Sequence, residues 1–290
     1  DAMIRARDQA EHPVAIGFQD IYADSTFELK RRVLQGDIGR PRRAALYACW
    51  PRHEGYFARP WAGMLQRNGT WLLDSPANNA LAHFVHLALF LLGPTMSTSA
   101  APVAVEAELY RVNAIQNYDT CALRVQLAGG ANLLVHLTHA CSTNVNPLLT
   151  IEGAKGGLDF NYGQRRAPLG TETIPLTDNG HEQTLRGFER VLFEPSSPRP
   201  HASLEMARVH ALVISAASQI APVRDVPAAY VEAHEHEGYA LRCIPGIEEV
   251  LRVVTARGQM LHESGLVPWS YAARKMAVTD YGFFRGPARD

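Results

Sequence analysis

The stretch from Asn78 to Leu92, Asn-Asn-Ala-Leu-Ala-His-Phe-Val-His-Leu-Ala-Leu-Phe-Leu-Leu, is apolar almost all round. It predicts a helix buried on every side, so the rest of the chain has to supply a core that surrounds it. On such a helix Asn79, His83 and His86 fall at i, i+4 and i+7 and stack on one face. A buried polar group left unpaired costs about 1–3 kcal/mol, so this stripe needs partners. It marks either a site of chemistry or a set of satisfied core histidines. Pro76 and Asn78 supply the start signal, with Asn78 as the N-cap and Asn79 turned toward the site.

Such a core is within reach of 290 residues that are 47% hydrophobic and 20% charged, the composition of a soluble globular protein. A formal net charge of -1 gives no nucleic-acid footprint. The Arg40–Arg43 run reads as a solvated turn. Cys49, Cys121, Cys141 and Cys243 form no CxxC pair, which excludes a disulfide framework and favours a reducing, cytoplasmic setting. The longest apolar run, Leu87 to Leu92, falls far short of the ~18–20 residues of a membrane span. The chain opens at Asp1 already in a helical pattern and reads as a piece whose N-terminal portion is missing.

Periodicity predicts helices over 2–11, from Asp24 with Phe27, Leu29, Val33 and Leu34 inward, near Glu182–Val191, over Ala202–Gln219 and over Gly246–Arg257. Strands are expected at Pro13–Phe18, Ala44–Trp50, Val103–Arg111, Thr120–Leu127, Ala131–Thr138, Leu148–Glu152, Leu158–Tyr162, near Val226–His234 and at Tyr239–Cys243. Gly129-Gly130 closes a tight hairpin, 51–69 is a long loop of the kind that carries function, and 163–200 is largely irregular. The expected fold is α+β, a large, mostly antiparallel open sheet with helices on one face.

Three sets of residues resemble the glucose–fructose oxidoreductase / inositol dehydrogenase (Gfo/Idh/MocA) family. They are Val14–Gln19 followed by a helix and the Gly36-Asp-Ile-Gly-Arg-Pro41 turn; the loop Tyr56–Trp61 with Gly69–Asp74; and the helix from His83 to Gly93. The sheet with its turn at Ile151–Gly156 also fits. The resemblance implies that 1–40 is the end of a Rossmann domain and that 41–290 is a substrate-binding and oligomerisation domain of the dihydrodipicolinate-reductase-like type. It implies an NAD(P)-dependent oxidoreductase acting on a sugar or polyol, with NAD or NADP bound mainly by a domain upstream of Asp1 and with Gln19 as a cofactor contact. No G-x-G-x-x-G occurs and no lysine stands in the family's E-K-P context, so this stretch by itself is expected to be inactive.

Carried over position by position, His83 matches the family's acid/base histidine, and Asn79 stands where an aspartate is usual. Asp74 is the carboxylate expected to compensate. A histidine near its ordinary pKa of ~6.5 can exchange the proton of a substrate hydroxyl. Trp61, Arg59, Asn78, His86 and Tyr118 are the expected substrate contacts, and homo-oligomers are expected to pair through the face of the Val103–Glu152 strands. The rival for His83 and for His86 is a core histidine bonded to a backbone carbonyl. A metal role is disfavoured: His83 and His86 lack a second carboxylate at ligand spacing, His136 and His139 leave a strand on opposite faces, and His234-Glu-His-Glu237 reads as a solvated strand end. The alternative to an enzyme is a non-catalytic carbohydrate-binding or scaffold protein of the same descent.

Overall fold

A computed structural model describes residues 1–10, 12, 14–193 and 202–288. Helices α1 (Ala2–Ala10) and α2 (Asp24–Gln35) precede strand β1 (Pro41–Cys49), the short α3 (Glu54–Phe57) and the small ladder β2 (Gln66–Arg67) with β3 (Thr70–Trp71). After α4 (Ala82–Leu91) come β4 (Pro102–Arg111), β5 (Thr120–Leu127), β6 (Asn132–Thr138), β7 (Val145–Gly153), β8 (Gly157–Asn161), β9 (Arg166–Leu169) and β10 (Glu172–Pro175). The chain continues through α5 (Gly180–Phe193), α6 (Leu204–Ile220), β11 (Val223–Asp225), the hairpin β12 (Glu232–His236) and β13 (Tyr239–Cys243), α7 (Ile247–Arg257) and β14 (Arg274–Ala277).

Ten strands form one sheet in the order β10-β9-β8-β7-β1-β6-β5-β4-β11, with β14 also paired to β4. It is antiparallel except where β1 meets β6 and β11 meets β4. Side chains alternate along β1, so Ala44, Leu46 and Ala48 enter the core built with α4 and α6, while Ala45 and Cys49 enter a second core with α7. Both faces are therefore covered: α4 and α6 lie on one, α7 and the segment 260–271 on the other. The apolar run of β6, buried from Leu133 to Thr138, requires this cover. Over its central strands the sheet is thus covered on both faces by the chain itself.

Several local expectations change. Residues 14–18 join no ladder, and Pro13 lies outside the described residues; Ile16 N–H instead donates to Ala202 O. On α2 it is Lys30 that is buried and Leu34 that is exposed. The first N–H groups of α2 are capped from afar, Asp24 N–H by Asn179 Oδ1 and Ser25 N–H by Thr177 Oγ1. Strands β9 and β10 replace the irregular stretch, and Val226–His234 contains a strand only from Glu232. All four cysteines are buried and free, and among the described residues no helix is long and apolar enough to cross a membrane.

Candidate active site

The chain enters α4 differently from the sequence pattern. Pro76–Asn78 form a 3-10 turn, Asn79 leaves it with φ -142° and ψ -100°, and the helix begins only at Ala82. The two asparagine amides bond elsewhere and draw the backbone out of the helix. Asn78 Nδ2 donates to Leu72 O and Leu73 O, so Asn78 is no N-cap. Asn79 Nδ2 donates to Asp74 Oδ1 at 2.8 Å and reaches Tyr56 Oη at 3.3 Å. Of the expected stripe only His83 and His86 share the helix.

The far end of α4 is fixed by two features. Lys30 Nζ, wholly buried, donates to Phe90 O and Gly93 O at 2.5 Å each, a cation set on the carbonyls of a helix C-terminus. Burial pushes its ammonium down to about 7. Gly93 is required because a Cβ there would stand 1.9 Å from Thr98 O.

Every residue of α4 is buried except His83. The His83 side chain is 29% exposed, yet its Nδ1 is buried and makes no hydrogen bond. The nearest charged group to Nδ1 is Asp20 Oδ2, 3.5 Å away, on the 3-10 turn Gln19–Tyr22. Phe18 stands edge-on to His83, with centroids 5.6 Å apart, and lies flat on His86 at 3.9 Å. His86 is 0% exposed with both ring nitrogens unpartnered. Burial, and secondarily the neighbouring His210 and His83, push it down to about 3, so it is neutral at neutral pH. It therefore sits in the core and touches no surface. His210, which donates from Nε2 to Ala77 O at 2.9 Å, is held down at about 4 by burial.

A second group lies on the loop. Asp74 accepts from Asn79 and from Gly63 N–H at 2.6 Å, and burial raises its carboxyl against these bonds. The Arg59 guanidinium stacks on Tyr56 at 3.6 Å and over Trp61 at 4.7 Å. The structure thus brings Asp74, Asn79, Arg59 and Trp61 together around Tyr56, a residue that sequence reasoning missed. Its signal was the aromatic-rich loop itself. Tyr118 is 0% exposed, with a phenol pushed far up by burial, and lines no surface. Among the described residues no hydrogen bond or ion pair joins His83 to Asn79 or Asp74.

Gln19 lines a cleft of about 450 Å³ beside Asp20, with Tyr162, Arg165, Thr177 and His181. His136 bonds to Thr255 Oγ1 on α7 and His139 donates to Trp50 O, and burial pushes both down to about 3. Among the described residues the one group with metal-ligand spacing is Glu106, His262 and Glu263. It lies across the sheet, where Arg124 already pairs with both carboxylates at 2.9 and 2.5 Å.

Residues 27–159 match the GFO/IDH/MocA C-terminal domain. No curated protein matches the chain in sequence. Among solved structures, an oxidoreductase from Agrobacterium radiobacter in complex with NAD+, L-tartaric acid and magnesium is similar at a TM-score of 0.56 and 17% identity, over 74% of this chain and 65% of that one. The WlbA dehydrogenase from Bordetella pertussis, in complex with NADH and UDP-GlcNAcA, gives 0.56 and 20% over 73% of this chain and 62% of that one. A super-repressor mutant of Gal80p from Saccharomyces cerevisiae gives 0.55 and 11%, over 74% and 65%. The chain spans 62% to 65% of the length of these structures, and at such identities the likeness shows the fold alone. The family match over 27–159 and the likeness of the fold agree: this part of the chain resembles the C-terminal domain of the GFO/IDH/MocA family.

Proposed function

We propose that the chain is the substrate-side part of an NAD(P)-dependent oxidoreductase that interconverts an alcohol and a carbonyl on a sugar or polyol, with His83 exchanging the hydroxyl proton. The observation that carries this reading is the exposure of His83 alone on an otherwise buried helix. The core histidines differ from it: His210 is buried and bonded to Ala77 O, and His86 is wholly buried. Trp61, Tyr56 and Arg59 supply a stacked wall of the kind that suits the apolar face of a sugar ring. The chain has no G-x-G-x-x-G, and among the described residues no strand–glycine loop–helix unit is formed. In this reading the nicotinamide is held mainly by a domain upstream of Asp1, and His83 handles only the proton.

The test is His83→Ala in the full-length protein. Turnover of a sugar alcohol should fall by about 10²–10⁴-fold, the range of a lost general acid/base, with NAD(H) affinity unchanged. Near-normal turnover refutes the role. Asn79, standing in the place of a carboxylate, and the likeness to Gal80p favour a second reading, a non-catalytic carbohydrate-binding or scaffold protein. Saturable sugar binding by a full-length protein that reduces no NAD+ would establish it.

A further inference from the structure

An acid/base histidine needs a fixed tautomer. The nitrogen that meets the substrate must be free to accept a proton, and the other must be held by an acceptor. The family pattern places that acceptor one turn before the histidine, but here Asn79 and Asp74 are turned away, bonded to each other, to Tyr56 and to Gly63. His83 Nδ1 is buried without a hydrogen bond while the side chain remains 29% exposed, so the exposure belongs to the opposite edge of the ring. Facing the buried nitrogen is Asp20 Oδ2 at 3.5 Å, on a side chain only 18% exposed.

The turn that carries Asp20 is braced. Ile21 and Tyr22 are buried, Ile21 N–H donates to Phe18 O, and the start of α5 packs so closely behind it that a Cβ on Gly180 would come within 2.7 Å of Gln19 O. Phe18, pressed flat on His86, presents its ring to His83 at an interplanar angle of 79° and so limits how that imidazole can turn. Closing the gap from 3.5 Å to a hydrogen bond of about 2.8 Å takes a small side-chain adjustment, of the kind that tightens when substrate binds.

We infer that Asp20 is the positioning carboxylate of His83, accepting the Nδ1 proton and leaving Nε2 as the base that faces substrate. The inference rests on the reading of His83 as acid/base. In the step it supports, the substrate O–H bond breaks as Nε2–H forms, and the resulting imidazolium keeps its Nδ1–H on the ionised Asp20, which takes up no proton itself.

The test is the tautomer of His83, read from two-bond ¹H–¹⁵N correlations of the ¹⁵N-labelled chain at a pH above the ordinary imidazole range. The wild type should show the Nδ1–H form. Asp20→Ala should move His83 to the Nε2–H form, and Asp20→Glu should restore the first. A loss of packing alone would lower stability without exchanging the tautomers. In the full-length protein Asp20→Ala should cut kcat/KM about 10–100-fold, with partial rescue by Asp20→Glu. A wild type already in the Nε2–H form, or a tautomer unmoved by Asp20→Ala, overturns the inference. If His83→Ala abolishes turnover while the tautomer ignores Asp20, the proposed function stands and this inference falls. If the tautomer follows Asp20 while His83→Ala turns over normally, the geometry stands and the proposed function falls.

Discussion

Two polar clusters lie buried on opposite faces of the same sheet, and they are finished to different degrees. On the α7 face, Glu108 accepts from Tyr110 Oη at 2.6 Å and from His262 Nδ1 at 2.8 Å. Tyr110 Oη in turn accepts from Tyr271 N–H, and Tyr271 Oη accepts from Leu109 N–H and donates to Pro222 O. On the α4 face, His83 Nδ1 and both nitrogens of His86 are buried without a hydrogen bond. A closed network of this kind fixes one arrangement of the chain, here the docking of 260–271 on β4. Open valences cost stability, and native proteins keep them where the groups serve something other than packing. The contrast is one of degree, since His136 Nε2 on the α7 face is also without a hydrogen bond.

The largest effect expected on stability is on the closed side. Glu108→Ala leaves His262, Tyr110 and the His262 N–H without their acceptor in a buried place, and breaking such a pair costs about 3–5 kcal/mol. Urea unfolding should show the free energy of unfolding fall by that amount, while the His83 tautomer stays as in the wild type. A loss below about 1 kcal/mol would mean that the closed cluster does not hold the tail, and the contrast between the faces would lose its structural half.

Acid titration probes both faces at once. Burial holds His86, His136 and His139 near 3 and His210 near 4 in the folded chain, against about 6.5 when unfolded. With depressed folded values these groups leave stability unchanged above about 6.5. As pH falls below that, the unfolded chain binds protons that the folded one refuses, and each histidine removes up to about 1.4 kcal/mol per pH unit. The carboxyls of Asp74, Glu108 and Asp119 are raised by burial and act in the opposite sense, but only on approach to the carboxylate range. Stability measured from pH 7 to 5 should therefore drop steeply. A flat profile would show that the buried histidines are paired and protonated in the fold.

What the sequence made legible follows the range of the forces involved. The buried body of α4, the strands β4 to β8 and the Gly130 turn are local pattern, and they appear as read. The start of α4 was misplaced because helix periodicity takes no account of what a side-chain amide prefers to bond; Asn79 finds Asp74 before it finds a helix. Strands β9 and β10, four residues each and containing Pro168 and Pro175, carry too little alternation to declare themselves and exist because β8 offers an edge to extend. Asp20 was invisible as a partner of His83, since only the tertiary fold brings its turn to α4. The loop group around Arg59 and Trp61 was legible as a composition, though its centre, Tyr56, was not.

The smallest expected effect is the sharpest about the open face. His86 stacks on Phe18 at 3.9 Å, is 0% exposed and has no partner for either nitrogen. His86→Phe keeps a ring on Phe18 and removes two unpaired polar atoms, whose burial costs on the order of 1–3 kcal/mol. Part of that gain is offset by the extra volume of phenylalanine in a packed core. The variant should be more stable by about 1 kcal/mol at pH 7, and its stability loss between pH 6.5 and 4 should shrink by close to one proton's worth. Those two readouts separate packing from titration: an over-packed core would erase the first and leave the second. A variant that is less stable at pH 7 and keeps the wild-type acid slope would show that His86 is not the refused proton, and that its nitrogens meet a partner in the working protein. His86 would then belong with His83 and Asp20 in the chemistry of α4, and the open face would extend one helical turn deeper than its exposure suggests.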